Sequence, residues 1–343
     1  MFDLTYCITI YICFFLLIIL SIRISPDIAY NKALDRFNAL RGLFAIEIII
    51  GHSIQPYETM LSPFKHFMCL SVAFFFFISA YGMTRSFKTK PNYLKGFLAK
   101  KSSYLLGINT ISFIFGVCLT LLFRIPSSYW NNEFNLFQNY YFSTNWYVWE
   151  LLAFYCIFFI LYKLVNKRRV TCLFLLALIT AIILYYSGVV EMYYTAIFAF
   201  PLGALFGEYD NSWSVKTKKV IIPLLAISFA FLGLLCFIIP AGNVIRDVFL
   251  RNCMGIGLIL GLFSLFLIIE IKSKILHILC TISTEMYIFQ FIFLDFSQSL
   301  QMDYKHRLAF VIICTITIAL LLHIPISRFK KLLTRSHSKE TIQ

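Results

Sequence analysis

Leu40-Arg41-Gly42-Leu43-Phe44-Ala45-Ile46-Glu47-Ile48-Ile49-Ile50-Gly51-His52-Ser53 reads as a lipid-compatible helix that carries three ionisable residues. A charge near the centre of a bilayer costs on the order of several kcal/mol, so an intramembrane Arg, Glu or His marks a functional site by default. Arg41 and His52 are eleven positions apart, which at about 100° per residue returns them to one helix face roughly 16 Å apart along the axis. One stripe thus carries a guanidinium at one membrane boundary and an imidazole towards the other. Glu47 lies roughly 120° off that stripe and is read as a supporting residue facing a different neighbour.

Outward from this stretch, the 343-residue chain is 60% hydrophobic and only 13% charged. Apolar runs of about twenty residues recur along it, the length a helix needs to cross a bilayer. The pattern predicts an all-α, polytopic membrane bundle of about 10 to 11 transmembrane helices, with no sizeable soluble domain. The spans fall near residues 5–22, 40–57, 66–84, 103–123, 146–163, 170–187, 190–207, 220–239, 250–269, 275–297 and 307–326. The first has no basic segment before it and no small-residue cleavage site, so it reads as a retained span. The span near 275–297 is interrupted by Ser283, Thr284, Glu285, Gln290 and Asp295, and a helix of that kind lines an internal cavity more readily than it faces lipid. The 38 Phe and 20 Tyr are read as lipid-facing packing and interfacial belts. The ten cysteines lie mostly inside apolar runs without ligand spacing, so they read as reduced core residues and no metal site is implied.

The net charge of +14 raises nucleic acid as a partner, but in a polytopic chain basic residues report orientation first. Placing alternate connections and the C-terminal tail on one side leaves only Lys65, Arg124, Arg246, Arg251, Lys305 and Arg307 on the other. The Lys/Arg-rich side is then cytoplasmic, and membrane lipid and topology account for the charge without nucleic acid. In this orientation Arg41 sits at the cytoplasmic boundary, while His52 and Glu150, on two different helices, lie at similar depth near the outer ends.

A neutral imidazole serves as a general base towards a hydroxyl or takes an acyl group itself, and a nearby carboxylate orients it. A guanidinium offers a planar, permanently charged fork for phosphate. Together these suggest a phosphate-tailed donor that enters from the cytoplasm and reacts deeper in the membrane, the shape of an acyl thioester of coenzyme A.

The segment from Asp35-Arg36 through Leu40-Arg41-Gly42 to Gly51-His52-Ser53 resembles the first core helix of the acyltransferase-3 family of integral-membrane acyltransferases. Phe76-Phe77-Ile78-Ser79 is similar to that family's aromatic run, with Ala80 where a Gly is usual. Trp146 to Tyr155 around Glu150 and Ser283 to Tyr287 also match, with Gln290 where many relatives have His. Lys100 and Lys101 take the place of an Arg-rich connection. The resemblance implies one acyltransferase domain over residues 1–343: an extra N-terminal span (1–30), a family-like core (32–327) and a basic cytoplasmic tail (328–343).

It further implies a multi-pass protein of the bacterial inner membrane that transfers acetyl from cytoplasmic acetyl-CoA to a sugar hydroxyl of a surface polysaccharide or its lipid-linked precursor. Acetyl-CoA is then a co-substrate, and no bound cofactor or metal is called for. His52 and Glu150 are the candidate catalytic pair. Arg41, Lys100 and Lys101 are candidates for donor binding, and Glu47, Ser79 and Glu285 for support. Plainer roles stand beside these: His52 as a buried hydrogen-bonding group, Arg41 as a topology anchor, Glu150 at headgroup level, Ser79 in helix packing and the lysines as orientation signals. His66, His277, His306, His323 and His337, near span ends or in tails, receive no role. A polytopic transporter or flippase of a glycan intermediate is the alternative function, and inverted repeats would favour it. A non-enzymatic scaffold leaves the buried charges without a reason.

Overall fold

The computed structural model describes residues 4–24, 37–54, 60–123, 145–209, 212–214 and 216–339. The connection carrying Asp35 and Arg36, the Gln55-Pro56 end of the second predicted span and the loop 124–144 lie outside these residues. The described residues are almost wholly helical: α1 (Leu4–Ile19), α2 (Arg41–Ser53), α3 (Ser62–Thr89), α4 (Phe97–Phe123), α5 (Trp146–Leu164), α6 (Arg169–Tyr186), α7 (Ala199–Tyr209), α8 (Thr217–Phe237), α9 (Ile245–Phe266), α10 (Lys274–Thr281), α11 (Ser283–Ser299) and α12 (Tyr304–Lys339). Seven of them are long and apolar enough to cross a membrane, eight if the pair α10–α11 counts as one bent span. The chain is therefore an all-α polytopic membrane bundle.

Three predicted spans differ in form. The one near 190–207 is a 3-10 turn, Glu191–Tyr193, followed by the 11-residue α7. The one near 275–297 breaks by 73° between α10 and α11. At the break Thr281 Oγ1 donates to the Ile278 carbonyl and Ser283 Oγ to that of Cys280, local bonds that compete with the helix ladder. The last span runs on as α12 to Lys339, through Pro325.

The aromatic residues also depart from the expected lipid-facing belts. Phe74, Phe76 and Phe77 are fully buried, because α3 is packed on several sides at once, by α2, α7 and α9. The Phe76 ring meets Tyr147 and Phe154 of α5 at 5.2 and 5.0 Å, so the run is core. Close helix approach is set by small residues. A Cβ on Gly203 would collide with the Phe77 carbonyl of α3, and one on Gly207 would come within 2.6 Å of the Thr84 Cβ. Gly203-Ala204-Leu205-Phe206-Gly207 is thus the seam between α3 and α7.

The short α2 is the hub of the site, packing on α3, α10, α11 and α12. Gly42, just after Arg41, lies so close to α10 that a Cβ there would stand 2.8 Å from the Cys280 amide nitrogen. That contact brings the break before α11 alongside the first turn of α2. At the far end of α2, Ile50 and Ile54 cluster with Cys7 of α1, Phe64 of α3 and Leu308 of α12. After α1, strand β1 (Ile22–Ile24) pairs antiparallel with β2 (Ile269–Ile271), Arg23 opposite Glu270, tying the first helix to the connection before α10.

Candidate functional site

Arg41 opens α2, and its guanidinium donates to Thr284 Oγ1 of α11 at 3.4 Å. Beside it lies a cavity of about 890 Å³ whose walls come from α2, α3, α4, α5, α10, α11, α12 and the connection between α3 and α4. Its mouth carries the exposed Lys90, Pro91, Asn92 and Lys95, so it opens at the lysine-rich end where α3 passes to α4. Lys100 and Lys101 line it from the first turn of α4, and the Lys101 ammonium stands 5.5 Å from the centre of the Tyr155 ring. The Tyr155 hydroxyl is 3.1 Å from Ser79 Oγ, another lining residue. At the mouth, burial and the neighbouring Tyr155 push the Tyr93 phenol up to about 12 against its bond to Ser86, so it remains a neutral hydrogen-bonding group at physiological pH.

The fifth predicted residue on this wall is Glu285. Its side chain is fully buried, and His323 Nδ1 of α12 lies 3.2 Å from its Oε1. Arg41, Ser79, Lys100, Lys101 and Glu285, drawn from four helices, thus meet in one cavity.

His52, Glu150 and Glu47 are not among its lining residues. His52 sits in the last turn of α2 with its ring 4.8 Å from that of Phe291 on α11. Phe291 in turn lies 6.4 Å from Tyr287, which does line the cavity. Tyr287 and Tyr147 pack with ring centres 4.7 Å apart, forming an aromatic partition on the cavity wall. Outside the spans, burial and the nearby Glu150 push the Tyr193 phenol above its ordinary value. Both Glu150 oxygens are buried without a hydrogen-bond partner among the described residues, so no hydrogen bond joins Glu150 to His52. Glu47 turns towards α3, where its Oε2 accepts a 2.6 Å bond from Ser71 Oγ.

Sequence reasoning missed the aromatic lining and His323. Tyr155 and Tyr287 stood inside matched segments, so position in a motif was a usable signal for them. Nothing local pairs His323 with Glu285, 38 positions earlier.

A polytopic bundle with a basic-mouthed, polar-walled cavity beside the first residue of a helix whose last turn carries a half-buried histidine defines the class of membrane enzyme for which the family comparison supplies the chemistry. The acyltransferase-3 family model, described as an acyltransferase domain, matches residues 34–324. The chain belongs to that family and is a membrane acyltransferase. α1 and β1 precede the matched residues, while Arg41, His52, Glu150 and Glu285 all lie within them. No curated protein and no solved structure matches the chain.

Proposed function

We propose that this membrane acyltransferase moves an acetyl group from acetyl-CoA, entering from the cytoplasm, to a sugar hydroxyl of a surface polysaccharide or its lipid-linked precursor in the bacterial inner membrane. The observation that carries this reading is the meeting of Arg41, Lys100 and Lys101 in one cavity at the lysine-rich end. Cations converging on a concave site suit the phosphates of a coenzyme A thioester, with the Arg41 fork as the directional contact. A cavity of about 890 Å³ falls within the range of cofactor and ligand sites.

His52 lies further along the same helix. In this reading the thioester end passes the Tyr147–Tyr287 partition to reach it. His52 takes the proton of the acceptor hydroxyl as general base while the new ester bond forms and the carbon–sulfur bond breaks, releasing the thiol. Glu150, lacking a bond to His52, stands three residues after Tyr147 of the partition on α5 and is assigned to the acceptor. Support comes from its two buried oxygens, which need hydrogen-bond donors, and sugar hydroxyls supply them.

The test is His52→Ala in membranes given labelled acetyl-CoA. Loss of general base catalysis is expected to slow transfer by about 10²–10⁴-fold, with the protein still inserted at its normal level. Normal acetyl content in the glycan of the variant strain, measured by mass spectrometry, would end the proposal.

A further inference from the structure

The pair Glu285–His323 has no part in the transfer just described, although it stands on the cavity wall beside Arg41. We infer that Glu285, held in place by His323, recognises the uncharged amide and hydroxyl groups of the donor's pantetheine arm, the stretch between its phosphates and its thioester. The inference rests on the acyl-CoA reading and names a contact which that reading leaves open.

Charge is the first reason. Glu285 is the one carboxylate among the described residues lining the cavity, where Arg41, Lys90, Lys95, Lys100 and Lys101 supply cations. A carboxylate repels phosphate and accepts from N–H and O–H groups, so it marks where a ligand presents neutral donors. Coenzyme A carries two amide N–H groups and a hydroxyl between its phosphates and its sulfur.

Unmet hydrogen bonding is the second reason. Glu285 Oε1 is engaged by His323 Nδ1 at 3.2 Å, but Oε2 is buried with no partner among the described residues. A buried acceptor left in that state is costly, and a ligand N–H or O–H relieves it. Position is the third. Thr284, which bonds Arg41, immediately precedes Glu285, and Tyr287 of the partition follows two residues later. Within this one turn of α11 the unsatisfied acceptor therefore lies beside both the Arg41 contact and the aromatic partition, where a donor held at Arg41 passes it. His323 keeps 35% of its side-chain surface exposed while it holds Glu285, and we assign it as a positioning residue.

The experiment compares equilibrium binding of coenzyme A with that of its adenosine bisphosphate fragment, which keeps phosphates and lacks the arm, using purified full-length protein in nanodiscs. Glu285→Gln is expected to weaken coenzyme A binding about tenfold, the loss of one charge-assisted hydrogen bond, and to leave fragment binding within about twofold. His323→Gln, which keeps the carboxylate, is expected to show the same selectivity at about threefold. Arg41→Gln should weaken both ligands. Equal loss of both ligands in the two wall variants, or no loss in either, overturns the inference. Wild-type protein that binds neither ligand overturns the acyl-CoA reading and this inference with it, and that failure is visible before any variant is made.

Discussion

In the proposed donor reading, Arg41 is the residue on which binding turns, and its geometry separates charge from shape. Its guanidinium reaches Thr284 at 3.4 Å, a long contact that leaves donors for a ligand. Arg41→Lys keeps the charge but loses the planar fork, so the KM for acetyl-CoA is expected to rise about tenfold while kcat stays within about threefold. Steady-state kinetics at saturating acceptor checks this, and a fall in kcat at unchanged KM contradicts it. Glu150 should behave in the opposite way. Because it stands apart from the lysine-lined walls, Glu150→Gln is expected to lower kcat by about tenfold or more with the donor KM nearly unchanged. Binding of labelled coenzyme A by that variant supplies the control.

Among the elements, α2 and α3 set the precision of the site, through different devices. Gly42 lets α10 lie against the first turn of α2, and that contact delivers Thr284 and Glu285 to Arg41. Gly203 and Gly207 let α7 close on α3, which orients Ser79 and the aromatic run towards α5. A side chain at Gly203 meets backbone, which has no rotamer to yield. Gly203→Val is therefore expected to cost about 1–3 kcal/mol of stability through overpacking. Thermal unfolding in detergent should show a lowered midpoint, and a variant as stable as the parent would refute the seam.

For the molecule as a whole, orientation decides which compartment feeds the cavity. Lys90, Lys95, Lys100 and Lys101 crowd its mouth and lining, and in the proposed orientation, read from the positive-inside rule, that end faces the cytoplasm. A fluorescent-protein fusion after residue 343 is expected to fluoresce, and an alkaline phosphatase fusion at the same point to be inactive. The reverse pattern would put the cavity on the side where coenzyme A is absent and would remove the donor reading. The extra helix α1 packs on Phe64 and Leu308 and is followed by β1, paired with β2. α1 and β1 lie outside the matched family region, and α1 contributes nothing to the cavity lining.

Hydropathy was enough to establish a polytopic helical bundle, and the motif from Leu40 to Ser53 carried the resemblance to the family, because each depends on residues close together in the chain. The energetic anomaly of ionisable groups in an apolar helix is likewise a local property, visible without coordinates. Partnership is not local. The fully buried core of Phe74, Phe76 and Phe77, the break between α10 and α11 and the pairing of Glu285 with His323 arise where distant helices meet, and hydropathy reads the same for an apolar side chain facing lipid as for one facing another helix. His323 had no role as a lone residue near a span end. Only packing of α12 against α11 turned it into part of a wall, and only the meeting of α5 with α11 at Tyr147 and Tyr287 built the partition on that wall, with Phe291 and His52 behind it.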